Sequence, residues 1–148
     1  MLTPAERLEE LEDVLAELEE LSDTTPIVVE GTKDIEALKR LGITKNVRHL
    51  NRGESVFNFC EELSRMSRTL IILTDWDRKG GMLARMLKEA CHANEIEADL
   101  GIRTKLVILS KKEVKDIESL PTFMERLRIR STMPGLPKRT KTVEAKRI

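Results

Sequence analysis

The chain has no tyrosine, no glutamine, one tryptophan, three phenylalanines and two cysteines in 148 residues. Without tyrosine, this chain alone cannot hold a cleaved phosphodiester on a tyrosyl oxygen, which removes a whole class of DNA-strand chemistry. Cys60 and Cys91 make no CxxC pair and have no histidine at zinc-finger spacing. Neither a disulfide scaffold nor a structural zinc site is therefore expected, and both read as half-buried thiols on helices. No aliphatic run is longer than that from Leu70 to Leu73 between two threonines, far shorter than the roughly 20 residues that cross a bilayer. The acidic N-terminus lacks the basic start and apolar region of a secretion signal, so a cytoplasmic protein with no membrane segment is expected. What remains, 40% hydrophobic and 35% charged, is enough for one compact core. The abundance of charge and scarcity of side-chain amides also resembles proteins from hot environments.

Formal net charge is zero, but its distribution is uneven. Up to Asp23 the acids are Glu6, Glu9, Glu10, Glu12, Asp13, Glu17, Glu19, Glu20 and Asp23 against Arg7 alone. From Arg126 onward the bases are Arg126, Arg128, Arg130, Lys138, Arg139, Lys141, Lys146 and Arg147 against Glu144 alone. The end of the chain, with Pro134, Gly135 and Pro137 and few large apolar residues, cannot bury enough surface to fold by itself. Its charge suits phosphate, so contact with RNA or DNA is one reading; a solvated tail, or one lying on the acidic N-terminal helix, is the other.

Thr3-Pro4-Ala5-Glu6 has the form of a capped helix start. Leu8, Leu11, Leu15 and Leu18 then follow on one stripe, which needs an apolar partner either in its own domain or in a short dimer seam. Beyond Pro26, aliphatic runs alternate with amphipathic segments. Strands are expected at 27–30, 47–50, 69–74 and 105–109, and helices at 33–41, 54–66, 80–96 and 117–128, the last interrupted near its start by Pro121. Strict alternation predicts an α/β fold with a four-stranded parallel sheet flanked by helices. The division expected is an acidic N-terminal helix (1–25), the α/β domain (26–130) and a basic C-terminal tail (131–148).

In such sheets, ligands bind beyond the carboxyl ends of the strands. Glu30 ends the first strand and precedes Gly31; Asp75 and Asp77 end the third, in the run Thr74-Asp75-Trp76-Asp77-Arg78-Lys79-Gly80. In extended backbone an i, i+2 pair points both carboxylates to one side and Trp76 to the other. Their repulsion is relieved by a cation, and hard oxygen ligands suit Mg²⁺ or Mn²⁺. If the first and third strands are neighbours, Glu30 joins the cluster, which can then orient a phosphate and move a proton at an attacking or leaving oxygen. Asp77 also has a structural explanation, as a cap for the helix that follows.

Val29-Glu30-Gly31-Thr32-Lys33-Asp34 resembles the first motif of the Toprim domain, and Thr74-Asp75-Trp76-Asp77-Arg78-Lys79-Gly80 resembles its second, in the right order on the right strands. Val114-Lys115-Asp116-Ile117-Glu118-Ser119-Leu120 is similar to a weaker signature of primase-type members. The resemblance covers roughly 27–128, and the short length is similar to that of small stand-alone Toprim proteins of archaea and some bacteria. It implies a Rossmann-like sheet with the first and third strands adjacent at its centre. It further implies that Glu30 acts as general acid or base and contacts metal, while Asp75 and Asp77 hold Mg²⁺. Family members include primases, topoisomerases, nucleases, recombination mediators and the ribonuclease that matures bacterial ribosomal RNA. The absent tyrosine, zinc module and ATPase leave metal-dependent phosphodiester hydrolysis of the RNA-processing type as the expected activity, with RNA favoured over DNA. The alternative is a non-catalytic metal-binding module that rides on nucleic acid or a ribonucleoprotein, using the N-terminal helix or the basic tail to dock.

Around the three acids, Lys33, Arg78 and Lys79 are candidates for phosphate contact, and Asp34 and Asp116 form a second tier. Each has a plainer reading: Lys33 and Asp34 open a solvated helix, and Asp116 caps the helix before Ile117. His49, Asn51 and Arg52 follow the second strand near the same cleft, with His49 read as an ordinary loop residue. His92 lies on a helix far from the strand ends and is read as structural.

Overall fold

A computed structural model describes residues 1–110 and 113–132. Thr3 caps helix α1 (Pro4–Leu21) through the reciprocal pair its sequence announces: Glu6 N–H donates to Thr3 Oγ1 at 3.1 Å and Thr3 N–H to Glu6 Oε1 at 3.0 Å. There follow β1 (Ile27–Val29), α2 (Thr32–Arg40), β2 (Val47–His49), α3 (Val56–Leu63), β3 (Thr69–Ile72), α4 (Arg78–Ala93), β4 (Glu97–Asp99), α5 (Gly101–Ser110) and α6 (Leu120–Thr132). Gly42, at φ +92°, ends α2 as expected of a glycine in the left-handed region.

The four strands form one all-parallel sheet in the order β2-β1-β3-β4, with Ile27 opposite Ile71 and Val28 opposite Ile72 across its centre. β1 and β3 are adjacent, and chain order reverses between them, so a crevice opens beyond their carboxyl ends. Successive strand residues face opposite sides. Ile27, Val29, Ile71 and Leu73 pack with α1, α2, α5 and α6, whereas Val28, Leu70 and Ile72 pack with α3 and α4. Covering both faces explains why these strands are continuously aliphatic.

The fourth strand is not where the aliphatic run Lys105–Leu109 suggests. That run lies within α5, where Ile102, Leu106 and Leu109 are buried at helical spacing and Ile108 is exposed. The actual strand is the polar Glu97-Ala98-Asp99, which among the described residues pairs with β3 alone at the sheet's edge. It becomes available because Glu95, at φ +57°, turns the chain out of α4, with Ile96 N–H donating to Cys91 O at 2.8 Å. Pro121 does not interrupt the last helix; it occupies its first turn, where no amide donor is needed.

The apolar stripe of α1 is spent inside the chain: Leu8, Leu11, Leu15 and Leu18 are buried with α5 and α6. Its acidic side meets bases on those helices through Lys105–Glu17 at 2.9 Å and Arg128–Glu12 at 3.3 Å, and its one base, Arg7, meets Glu113 of the loop before α6 at 2.6 Å. Part of the opposite polarity of the two chain ends is thus neutralised within the fold. The remainder of the basic tail expected at 131–148 lies outside the described residues from 133 on. Cys60 on α3 and Cys91 on α4 are fully rather than half buried, with sulfur atoms 3.8 Å apart. Among the described residues, no helix is long and apolar enough to cross a membrane.

Candidate acidic centre at the carboxyl ends of β1 and β3

Glu30 directly follows β1, and its Oε2 accepts the backbone N–H of Asp75 at 3.0 Å. That bond fastens the end of β1 to the segment after β3. Asp75 is in turn held by Ile117, whose N–H donates to its Oδ1 at 3.1 Å. The intervening Trp76 points the other way: Nε1 donates to Val114 O at 2.8 Å and Ser110 Oγ at 3.2 Å, and its amide donates to Lys115 O at 2.7 Å. The indole therefore anchors the loop on the α5–α6 connection.

Asp77 is the N-cap of α4, with Oδ1 accepting Gly80 N–H at 2.7 Å. Gly80 is held twice more, since its carbonyl accepts Thr74 Oγ1 at 2.8 Å and its Cα packs on the Asp75 carbonyl so closely that any Cβ would overlap it. Around Gly31, by contrast, a Cβ would meet nothing, so the space beside Glu30 is open.

Asp34 is buried on the first turn of α2, where Oδ2 accepts Gly31 N–H at 3.1 Å. Asp116 Oδ1 accepts Ser119 N–H at 2.7 Å. Asp116 therefore both caps a turn and stands among the acids. Burial pushes the Asp75 carboxyl up to about 7, with Asp34, Glu30 and Asp116 adding repulsion against the lowering effect of the Ile117 hydrogen bond. Burial also raises Asp34, opposed by its Gly31 bond, while Glu30, Glu118 and Asp116 push it further up. Glu30, Asp34, Asp75 and Asp116 thus share one electrostatic field that is short of positive charge.

One cation reaches this field that the sequence does not reveal. Arg103, on the first turn of α5, donates from Nε to Thr74 O at 2.9 Å and from Nη2 to Asp75 O at 2.8 Å. Burial lowers its pKa, and Glu30, Asp75 and Asp77 oppose that effect. It spends two donors on backbone carbonyls rather than carboxylates, so it holds the loop without sequestering the acids. A helix at 101–110 would have pointed to it; a strand at 105–109 hides it.

Lys33, Arg78 and Lys79 are exposed at the starts of α2 and α4, which cover opposite faces of the sheet but begin at the same carboxyl end as the acids. His49 ends β2 and its Nδ1 lies 3.0 Å from Leu50 O, a local contact. Asn51 and Arg52 are exposed in the following turn, and His92 is exposed in the last turn of α4.

Among the described residues, no three His, Cys, Asp or Glu side chains converge closely enough to hold a metal ion as they stand. The chemistry of the donors nevertheless suits a hard divalent cation. Glu30, Asp75 and Asp77 each commit one oxygen to a backbone amide and keep a second, and burial, with repulsion from Asp34, Glu30 and Asp116 behind it, raises the Asp75 pKa. Mg²⁺ retains several waters, so such a site needs only a few protein oxygens.

The family model for the Toprim domain matches residues 25–109, a span that includes Glu30, Asp34, Asp75, Asp77 and Arg103. A UPF0292 protein of Methanosarcina barkeri is 44% identical over 126 residues, 84% of this chain and 87% of that one. A UPF0292 protein of Methanocaldococcus jannaschii is 32% identical over 122 residues, covering 82% of this chain and 94% of its own. A solved structure of a protein from Aquifex aeolicus superimposes with a TM-score of 0.62 at 28% identity, over 72% of this chain and 94% of that chain.

Proposed function

Because this chain belongs to the Toprim family, and with it to the archaeal UPF0292 proteins, we infer that its acidic centre binds Mg²⁺ or Mn²⁺ and hydrolyses nucleic-acid phosphodiesters, with RNA as the favoured substrate. The observation that carries this reading is the Glu30–Asp75 bond, which joins two acids far apart in sequence at the open crevice between β1 and β3. Asp75 and Asp77, with Glu30, would hold the ion, which supplies charge neutralisation and polarises a phosphoryl oxygen or water when bound. Asp34 and Asp116 surround that site as a second tier. Glu30 has its Oε1 available to take a proton from an attacking oxygen or return one to a leaving oxygen. Lys33, Arg78 and Lys79 bind phosphates flanking the scissile one, and Arg103 fixes the carbonyls of the loop that carries Asp75.

A second reading is favoured by one specific observation: among the described residues, no three acids already converge on a point. On that reading the centre is a docking site in which metal bridges protein to a nucleic-acid phosphate without cleavage. Incubating the protein with structured RNA, single-stranded RNA and DNA, with Mg²⁺, Mn²⁺ or chelator, separates the two. Hydrolysis requires metal-dependent products that disappear in Glu30→Gln and Asp75→Asn. Binding that survives both substitutions, with no product under any condition, assigns the docking role.

A further inference from the structure

Helix α4 starts at the acidic centre, capped by Asp77, and runs away from it for 16 residues. Between 78 and 88 its buried positions are Gly80, Ala84 and Leu87, and its exposed ones are Arg78, Lys79, Met82, Arg85, Met86 and Lys88. The first acid on the helix is Glu89. Lys105, Arg128 and Arg7 each meet an acid. Among the described residues, none of these four cations lies within salt-bridge distance of a carboxylate. In a chain with 26 bases and 26 acids, the exposed stretch from 78 to 88 carries four cations before Glu89, one turn beyond Arg85, ends it, which makes its surface locally positive.

The same face carries apolar surface that the fold does not use. Met82 and Met86, one helical turn apart, are 55% and 51% exposed. With Leu83, Arg78 and Lys79 they line a shallow groove of about 460 Å³. Unbranched, polarizable methionines suit flat partners presented in varied orientations. Cations flanking an apolar floor match a ligand with phosphates along its edge and exposed planar faces between them. Unpaired nucleotides have that form; in a duplex the base faces are stacked inward and only the backbone and groove edges are offered.

We propose that the outer face of α4 is a track for single-stranded nucleic acid leading to the acidic centre, with Arg85 and Lys88 joining Arg78 and Lys79 on phosphates and Met82 and Met86 under the bases. The proposal rests on the reading of that centre as acting on phosphodiesters, and it restricts the substrate to strands with an unpaired segment.

The test uses the full chain in chelator, so that cleavage plays no part, with fluorescent single strands of about 12 nucleotides of RNA and of DNA, and the matching duplexes. Single strands are expected to bind more tightly than duplexes. Arg85→Gln with Lys88→Gln should weaken binding roughly tenfold and reduce the salt slope by about 1.4, since each phosphate contact on a single strand contributes about 0.7. Met82→Ser with Met86→Ser should weaken it by a similar factor and leave the slope unchanged. All four positions are exposed, so unchanged thermal midpoints certify the fold. Equal affinity for duplex, absence of single-strand binding, or indifference to both double variants overturns the track. So does a wild-type dimer in sedimentation that the methionine variant converts to monomer, which makes the face an interface between copies. Metal binding lost in Asp75→Asn, measured on the same protein, reads the acidic centre independently, so either idea can fail without the other.

Discussion

The backbone N–H of Asp75 donates to Glu30 Oε2 at 3.0 Å, so the carboxylate closing β1 is tied to the loop leaving β3. Glu30→Gln keeps an oxygen acceptor there and is expected to unfold near the wild-type midpoint while cleavage falls roughly 10²–10⁴-fold, the usual worth of a general acid or base. Glu30→Ala leaves the partly buried amide without its partner and should also cost about 1–2 kcal/mol. Paired thermal denaturation and cleavage assays distinguish them; a glutamine variant that cleaves at the wild-type rate removes Glu30 from the chemistry.

Gly80 and Gly81 are adjacent in α4 but face different surroundings. A Cβ at 80 would overlap the Asp75 carbonyl, whereas one at 81 would meet nothing. Gly80→Ala must displace the loop carrying Asp75 and should destabilise by roughly 1–3 kcal/mol, with loss of metal binding. Gly81→Ala should stabilise by about 0.5–1 kcal/mol through its helical preference. Urea unfolding of the two variants checks both signs.

Arg103 spans two successive carbonyls, and a lysine cannot reproduce that planar fork. Arg103→Lys is expected to retain the fold but lower the cleavage rate more than it raises KM, because the loop is loosened rather than the substrate released. Arg103→Met additionally leaves the acidic field without this half-buried cation and the two carbonyls without their donors, and should lose roughly 1–3 kcal/mol. A Lys variant indistinguishable from wild type in rate contradicts the positioning role.

Asp75 titrates at about 7 in the folded protein because of burial and its acidic neighbours, and at about 3.9 in an unfolded chain. The native state therefore binds the proton more tightly, so this group's stabilising contribution is full below about 4, declines as pH rises to 7 and is absent above. Metal-free wild type should lose stability relative to Asp75→Asn between pH 5 and pH 8. Added Mg²⁺ should raise the wild-type midpoint more at pH 8 than at pH 5. Parallel pH profiles for the two proteins would show that Asp75 does not carry this charge.

The sheet centre was legible because β1 and β3 are short aliphatic runs ending in acids, and burial on both faces leaves no other composition for them. β4 was not, because Glu97-Ala98-Asp99 is an edge strand with little apolar surface, while Lys105–Leu109 has the composition of a buried strand but lies in a helix buried on one side only. A four-residue aliphatic run fits either. That exchange concealed Arg103, whose role depends on the first turn of α5 lying beside Thr74 and Asp75. Asp75 and Asp77 were visible as an i, i+2 pair, but their separate duties were not: β3 ends at Ile72, and Asp77 turns to cap α4 while Asp75 accepts from Ile117. Contacts from distant segments decide such details, and spacing along the chain does not contain them.

The most direct test of the acidic centre is a calorimetric titration of Mg²⁺ and Mn²⁺ into the purified protein and into Asp75→Asn at pH 8. The substitution keeps the Oδ1 acceptor for Ile117 while removing the charge, so the loop stays in place. Saturable binding to the wild type that Asp75→Asn abolishes is the predicted result. Binding of equal strength to both proteins, or none to the wild type even with RNA in the cell, contradicts the assignment of Glu30, Asp75 and Asp77 as a metal centre.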